Sequence, residues 1–372
     1  MRTAWLTCLI LWWLPAMTPL GAAELDLDTR NGFSAQALAY ADAALPDAEL
    51  DLAWKPELFA EYRPWPEWRL SADLSLDNQL RLLFDGADSE QSLDFRLYRA
   101  WAALAWRRTE LKAGLQHIRM GPAQILRPLQ WFDRIAPASL LRDTEGVMAL
   151  TLTHFFPQPE LRLWLIRGNG GTKGAELLPT PKGVWEAGGR LGVLNPLGDT
   201  GLSAHWRRLE NPITEAQVWE WKLGWDHRLD LAFGAWLEAA LELRDIEIPS
   251  AEETELPRQS LNATLGLDYT FGVGNGLYVL TEQNLQVSGS QPVKYTDARG
   301  QAALLLSYPL GLLDGLQLLA TYDYIGRRGL GTLAWRRVYD LLSWELAISL
   351  DAGLPARLRR TPSLRLTLNY DL

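Results

Sequence analysis

Residues 261–271 read LNATLGLDYTF. On an extended chain Leu261, Ala263, Leu265, Leu267, Tyr269 and Phe271 share one face, and Asn262, Thr264, Gly266, Asp268 and Thr270 share the other. A helix would need apolar residues three and four apart, so a period of two specifies a strand. The pattern recurs at 68–76, 231–244, 314–325, 343–351 and 363–372. Strand segments are predicted near 31–42, 49–62, 67–79, 92–107, 109–120, 146–155, 159–168, 184–194, 199–208, 213–226, 229–244, 259–271, 276–289, 299–309, 314–325, 338–351 and 363–372. These are seventeen segments, whereas a single-chain bacterial barrel has an even number. The segment at 31–42 is the weakest, and 326–340 has room for one more. The expectation is an all-β chain, a transmembrane antiparallel β-barrel of about 16 strands, with 14 to 18 admitted.

Alternation alone does not choose a barrel over a soluble β-sandwich or a secreted lectin. Strand length does: many segments exceed the five or six residues usual in soluble sheets and match what a tilted bilayer crossing needs. The polar faces are also too charged for a dry core. Asp73, Glu238, Glu242, Asp268, Glu282, Asp323 and Glu345 would each need a buried partner there, and none in a wet lumen. The chain has 18 Trp. Trp54, Trp68, Trp106, Trp206, Trp225 and Trp344 fall where amphipathic rings would girdle a membrane interface.

Residues 1–23, MRTAWLTCLILWWLPAMTPLGAA, read as a secretory signal peptide: Arg2, a short apolar core, Pro15, then small residues before Glu24. Cys8, the only cysteine, lies inside it, so the remainder has no disulfide or thiol chemistry. With no linker and no shift in composition, residues 24–372 read as one barrel domain. The net charge of −9 disfavours nucleic acid. Of the 36 basic residues 30 are Arg, which fits GC-rich coding or planar recognition of anions. The triplet WRR at 106–108, 206–208 and 335–337 reads as an interface Trp with snorkelling arginines. Long loops are expected at 121–145, 169–184, 245–258, 289–298 and 326–337.

The alternation fails in 114–137, GLQHIRMGPAQILRPLQWFDRIAP. Gly121 and Pro122 end strand pairing, since Pro has no N–H and Gly tolerates unusual backbone. The loop that follows mixes Leu126, Leu129, Trp131, Phe132 and Ile135 with arginines and acids, so it packs against something. Two partners are open: the lumen wall, making a constriction with a transverse field, or the rim or a neighbouring protomer. Gly114, Gln116, Ile118, Gly121 and Ala123, then Pro128, Phe132, Asp133, Pro137, Arg142, Gly146 and Val147, resemble a strand-and-loop motif of the alginate-export-like and related porin-like outer-membrane barrels. Leu115 and Met120 depart from it, where those families carry Arg and Trp. The resemblance spans 111–147 and implies an outer-membrane channel whose loop folds inward.

No other chemistry competes. His117, His154, His205 and His227 lack metal-ligand spacing, and Ser203 with His205 is a coincidence of one strand face. GNGGTKG at 168–174 and FGVGNG at 271–276 lack the context of a phosphate loop. Inward-parity charges are of both signs. The last segment, SLRLTLNYDL, reads as a closing strand, although it ends in Leu372 where many barrels end in Phe. The expectation is therefore not an enzyme, with no cofactor and no metal. It is a porin-like channel of a Gram-negative outer membrane, passing small polar or charged solutes. Candidate constriction and pore-lining residues are Arg119, Arg127, Asp133, Arg134, Arg142, Asp143, Glu145, Glu238, Glu242, Asp268 and Glu282. Its partners would be outer-membrane lipid and the solute, with room for a homo-oligomer or a periplasmic protein. The alternative is a non-conducting barrel serving as scaffold or export conduit for a periplasmic or surface partner.

Overall fold

The computed structural model describes residues 24–40, 47–86, 88–133, 146–196, 198–210, 217–245, 257–290, 296–353 and 363–372. Each alternating segment pairs antiparallel with the next. The strands are β1 Glu24–Tyr40, β2 Ala48–Trp65, β3 Trp68–Asp85, β4 Asp88–Trp106, β5 Thr109–Gln116, β6 Val147–Phe155, β7 Pro159–Arg167, β8 Trp185–Asn195 and β9 Gly198–Glu210. They continue as β10 Gln217–Asp230, β11 Gly234–Asp245, β12 Gln259–Phe271, β13 Leu277–Gly289, β14 Asp297–Pro309, β15 Asp314–Asp323, β16 Arg328–Val338, β17 Leu342–Ala352 and β18 Ser363–Asp371. β1 closes the ring: Gln36 lies opposite Asp51 of β2 and opposite Thr367 of β18. Closure leaves no sheet edge around the ring, the condition for spanning a bilayer with strands.

The barrel has 18 strands, not about 16. All seventeen predicted segments are strands, including the weak first one, which begins at Glu24. The eighteenth is β16, in the stretch read as a loop at 326–337. Its alternation is scrambled because Gly329 and Gly331 sit on the row of Leu333 and Trp335, while Leu330 sits on the opposite row with Thr332. Pairing to β15 and β17 supplies what its own pattern lacks.

Connections differ by end. At one end they are short, such as 66–67, 107–108, 156–158, 231–233 and 339–341, and both termini of the described chain lie there. At the other end lies the long 168–184 connection, and there too β5 and β11 end and β6 and β12 begin. The wall is uneven. β2, β3 and β4 run 18, 18 and 19 residues, whereas β5, β6 and β7 run 8, 9 and 9. The wall is lowest where the 117–146 segment departs.

The two faces divide cleanly. Leu150, Leu163, Leu191, Leu202, Leu223, Leu265, Leu333 and Leu366 point outward and are exposed, an apolar belt that only lipid would cover. Aromatic pairs mark its borders. Trp65, Trp68 and Trp106 cluster at the short-turn end, as do Trp335 and Trp344 with ring centres 4.5 Å apart. Trp206 stacks on Trp219 at 4.7 Å nearer the other end. The girdle does not absorb all the tryptophan, however. Trp131, Trp164 and Trp236 are among the largest fully buried side chains, inside the barrel.

The WRR triplets are not one motif. Arg107 lies over Trp106 and bonds Glu67 in the next turn, as an interface cation would. Arg207 instead points into the lumen and is buried, because the strand's alternation turns it inward while Trp206 faces out.

Candidate functional site: a segment held across the lumen

β5 ends where its geometry forces it to. Gly114 has φ +122, and a Cβ there would collide with the backbone of Ala100 and Trp101. Gln116 then uses its side-chain amide on the Ala149 carbonyl at 2.9 Å, and accepts from Thr151 Oγ1 at 3.0 Å. Beyond it the chain leaves the wall. Ile118, Met120, Leu129, Trp131 and Phe132 pack against Val147, Ala149, Trp164, Ile166 and Ala240, all on inward rows. Ala123 packs with Trp236, Leu280 and Leu305. Burying these side chains stabilises the inward position by roughly 1.5–3 kcal/mol for each large one.

A segment without a ladder must still satisfy its amides. Two wall carboxylates do this. Glu238 of β11 accepts from the N–H of Ala123 at 3.0 Å and of Leu129 at 2.6 Å. Glu282 of β13 accepts from the N–H of Gln124, Ile125 and Leu126 at 2.7, 3.0 and 2.6 Å, and from Trp236 Nε1 at 3.2 Å. Thr264 Oγ1 donates to the Leu126 carbonyl at 2.7 Å. Charge-assisted bonds of this kind are among the stronger ones in proteins. Gly121, at φ +76, passes so close to the Glu238 carboxylate that a Cβ would overlap it.

Residues 121–131 separate two cavities. One, of about 430 Å³, lies toward the long-loop end and is lined by Pro128, Gln130 and Trp131 with walls from β10–β14. The other, of about 480 Å³, lies toward the short turns and is lined by Gly121 and Pro122 with Glu160, Arg190, Asp226 and Arg228. The opposite wall is less covered. There the β-bulge at Ser75/Leu76 turns Tyr98 inward. Arg99 and Lys55 lie over its ring at 5.0 and 5.5 Å, and the His117 ring lies 5.6 Å away.

The predicted site residues part company here. Arg127 and Asp133 are buried and paired with one another at 2.7 Å, so they brace the segment instead of facing a passing solute. Arg119 is exposed on the same segment. Arg134, Arg142, Asp143 and Glu145 lie outside the described residues. Glu238 and Glu282 line no open path: both are buried under the segment they hold. Asp268 lies at the short-turn end, accepting from Tyr278 and from the Gly234 N–H, each at 3.1 Å.

Glu242 belongs to a buried network that sequence reading did not assemble. Lys173 meets Glu176 at 3.3 Å and Glu186 at 2.7 Å. His205 bonds Glu186 at 3.1 Å and accepts from Trp164 Nε1 at 3.1 Å. Arg207 reaches Glu176 at 2.8 Å and Glu220 at 2.5 Å. Lys222 sits 3.7 Å from Glu176 and Glu220 and 3.9 Å from Glu242. Arg244 contacts Glu220 at 2.6 Å and also Glu242. Lys173 and Glu176 come from the 168–184 connection, so this second segment is fixed inside the barrel by ion pairs. The alternation Val218, Glu220, Lys222 between Trp219 and Trp221 was the available signal. Ser203 accepts from Arg190 at 3.3 Å and forms no described bond with His205.

No protein-family model matches the sequence, and no curated protein matches it in sequence. Solved structures do match in shape. The Pseudomonas aeruginosa channel OccK9 (OpdG) aligns with a TM-score of 0.56 at 12 % identity, covering 94 % of this chain and 98 % of that one. Pseudomonas aeruginosa OpdK, solved with vanillate, aligns at 0.55 and 12 % identity, over 93 % of this chain and 98 % of that one. Salmonella typhi OmpF, in complex with daunomycin, gives 0.51 at 9 % identity, over 93 % and 97 %. All three are outer-membrane porins. At this identity the likeness is one of fold. The closed ring, the lipid-facing belt and this fold define an outer-membrane β-barrel of porin architecture.

Proposed function

We propose that this chain is a passive channel for small polar or charged solutes, narrowed by residues 117–133. The observation that carries the reading is the capture of five successive or nearby backbone amides by Glu238 and Glu282, which holds the segment between two cavities. A buried carboxylate is costly unless its oxygens are satisfied, and here five of the bonds that satisfy them come from the segment's own amides. Porin architecture supports the same reading. The narrower likeness of residues 111–147 to alginate-export-like barrels rests on the motif alone.

The test is conductance in planar bilayers. The intact barrel should conduct, and Glu238→Ala with Glu282→Ala should raise single-channel conductance at least about twofold by releasing the segment. A folded, inserted barrel that passes no current in either form would overturn the reading and favour a scaffold or export conduit.

A further inference from the structure

We propose that the cavity toward the long-loop end is a recognition site for a neutral polyhydroxylated solute of mono- to disaccharide size. This rests on the channel reading above and names its solute class. The cavity's volume, about 430 Å³, lies within the range of small-molecule sites. Gln130 and Trp131 form one wall, and Asn262 and Gln286, with Ser260 and Ser288, the others. Amides and hydroxyls each donate and accept, the complement a sugar's hydroxyls require. Trp131 is 2 % exposed, and its indole N–H has no acceptor among the described residues. That N–H has no surface open to the cavity, so the polar recognition falls to the amides and hydroxyls of the other walls.

Charge selects against ions at this site. Lys222 and Glu242 form its floor, but each is already matched. Lys222 has three carboxylates within 3.9 Å, and Glu242 is held by Lys222 and Arg244. Asp297 and Arg299, one of each sign, also line it. The lining carries two charges of each sign, Lys222 and Arg299 against Glu242 and Asp297, so an ion would meet a like charge as well as an opposite one and gain no net attraction. A neutral polyol loses no hydration that the amides and hydroxyls cannot replace.

The experiment uses the full-length barrel in detergent, with maltose as probe and gluconate as the charged control. Calorimetry should give a maltose dissociation constant of about millimolar order, tight enough to select and weak enough to release. Gluconate should bind at least about tenfold more weakly. Gln130→Ala, and Gln286→Ala with Ser260→Ala, should each weaken maltose binding about tenfold. Thr332→Ala, on β16 outside the cavity lining, should bind maltose as the parent does. Heat-modifiable migration on gels identifies folded variants. No maltose binding, gluconate binding as tight as maltose, or undiminished binding by both folded variants overturns the proposal. Conductance without maltose binding removes the site and leaves the channel. Maltose binding without conductance removes the channel and leaves a sugar-binding barrel.

Discussion

Gly121 carries more than a break in a strand. Its φ of +76 is a region other residues adopt reluctantly, and its missing Cβ lets the backbone pass over the Glu238 carboxylate. Gly121→Ala is expected to cost about 1–3 kcal/mol locally and to expose residues 117–133. Limited proteolysis of the folded barrel should show faster cleavage there. Arg127 and Asp133 give a second residue-scale test. Arg127→Ala leaves a buried carboxylate alone and should destabilise by about 3–5 kcal/mol. Replacing both, Arg127→Met with Asp133→Leu, should recover most of it; urea unfolding in lipid reads both. The sequence pointed to this segment and to Gly121, Arg127 and Asp133. It did not reveal that the two charges neutralise each other, because a sequence lists charges but not their distances.

At the scale of elements, the legible part was the strand and the illegible part was what strands bring together. Period two revealed seventeen segments. β16 escaped because two glycines sit on its outward row, and neighbours on both sides define it. The network of β8 to β11 escaped for a related reason. Glu186, His205, Lys222 and Glu242 lie on four different strands and meet only through register: Lys222 lies opposite His205 and Glu242. Glu220→Ala would leave Arg207, Lys222 and Arg244 short of an acid, so refolding yield into lipid should fall sharply, with a loss of roughly 3–5 kcal/mol. On the opposite wall, the bulge that turns Tyr98 inward gathers Lys55 and Arg99 about its ring. Arg99→Ala should shift the reversal potential in a salt gradient toward cation preference. An unchanged potential would show that this wall does not line the ion path.

For the whole molecule the governing contrast is outside against inside. Leu223 faces outward within the belt while Glu220 and Lys222 face in. Leu223→Arg should cost about 2–4 kcal/mol of folding free energy in lipid. Gln317→Arg, on an inward row and only partly buried, should cost much less and alter conductance instead. The sequence by itself determined that the chain is made of long strands with one apolar face. Alternation is a local property, read over ten residues, and a tilted strand must be about that long to cross a bilayer. It also marked the loop at 121–145 as a segment needing a partner. Only the tertiary structure decided that eighteen strands close the ring, that Glu238 and Glu282 hold this segment across the lumen, and that Trp131, Trp164 and Trp236 lie inside. These outcomes depend on which strands stand opposite one another, and that register is settled by the closed ring as a whole.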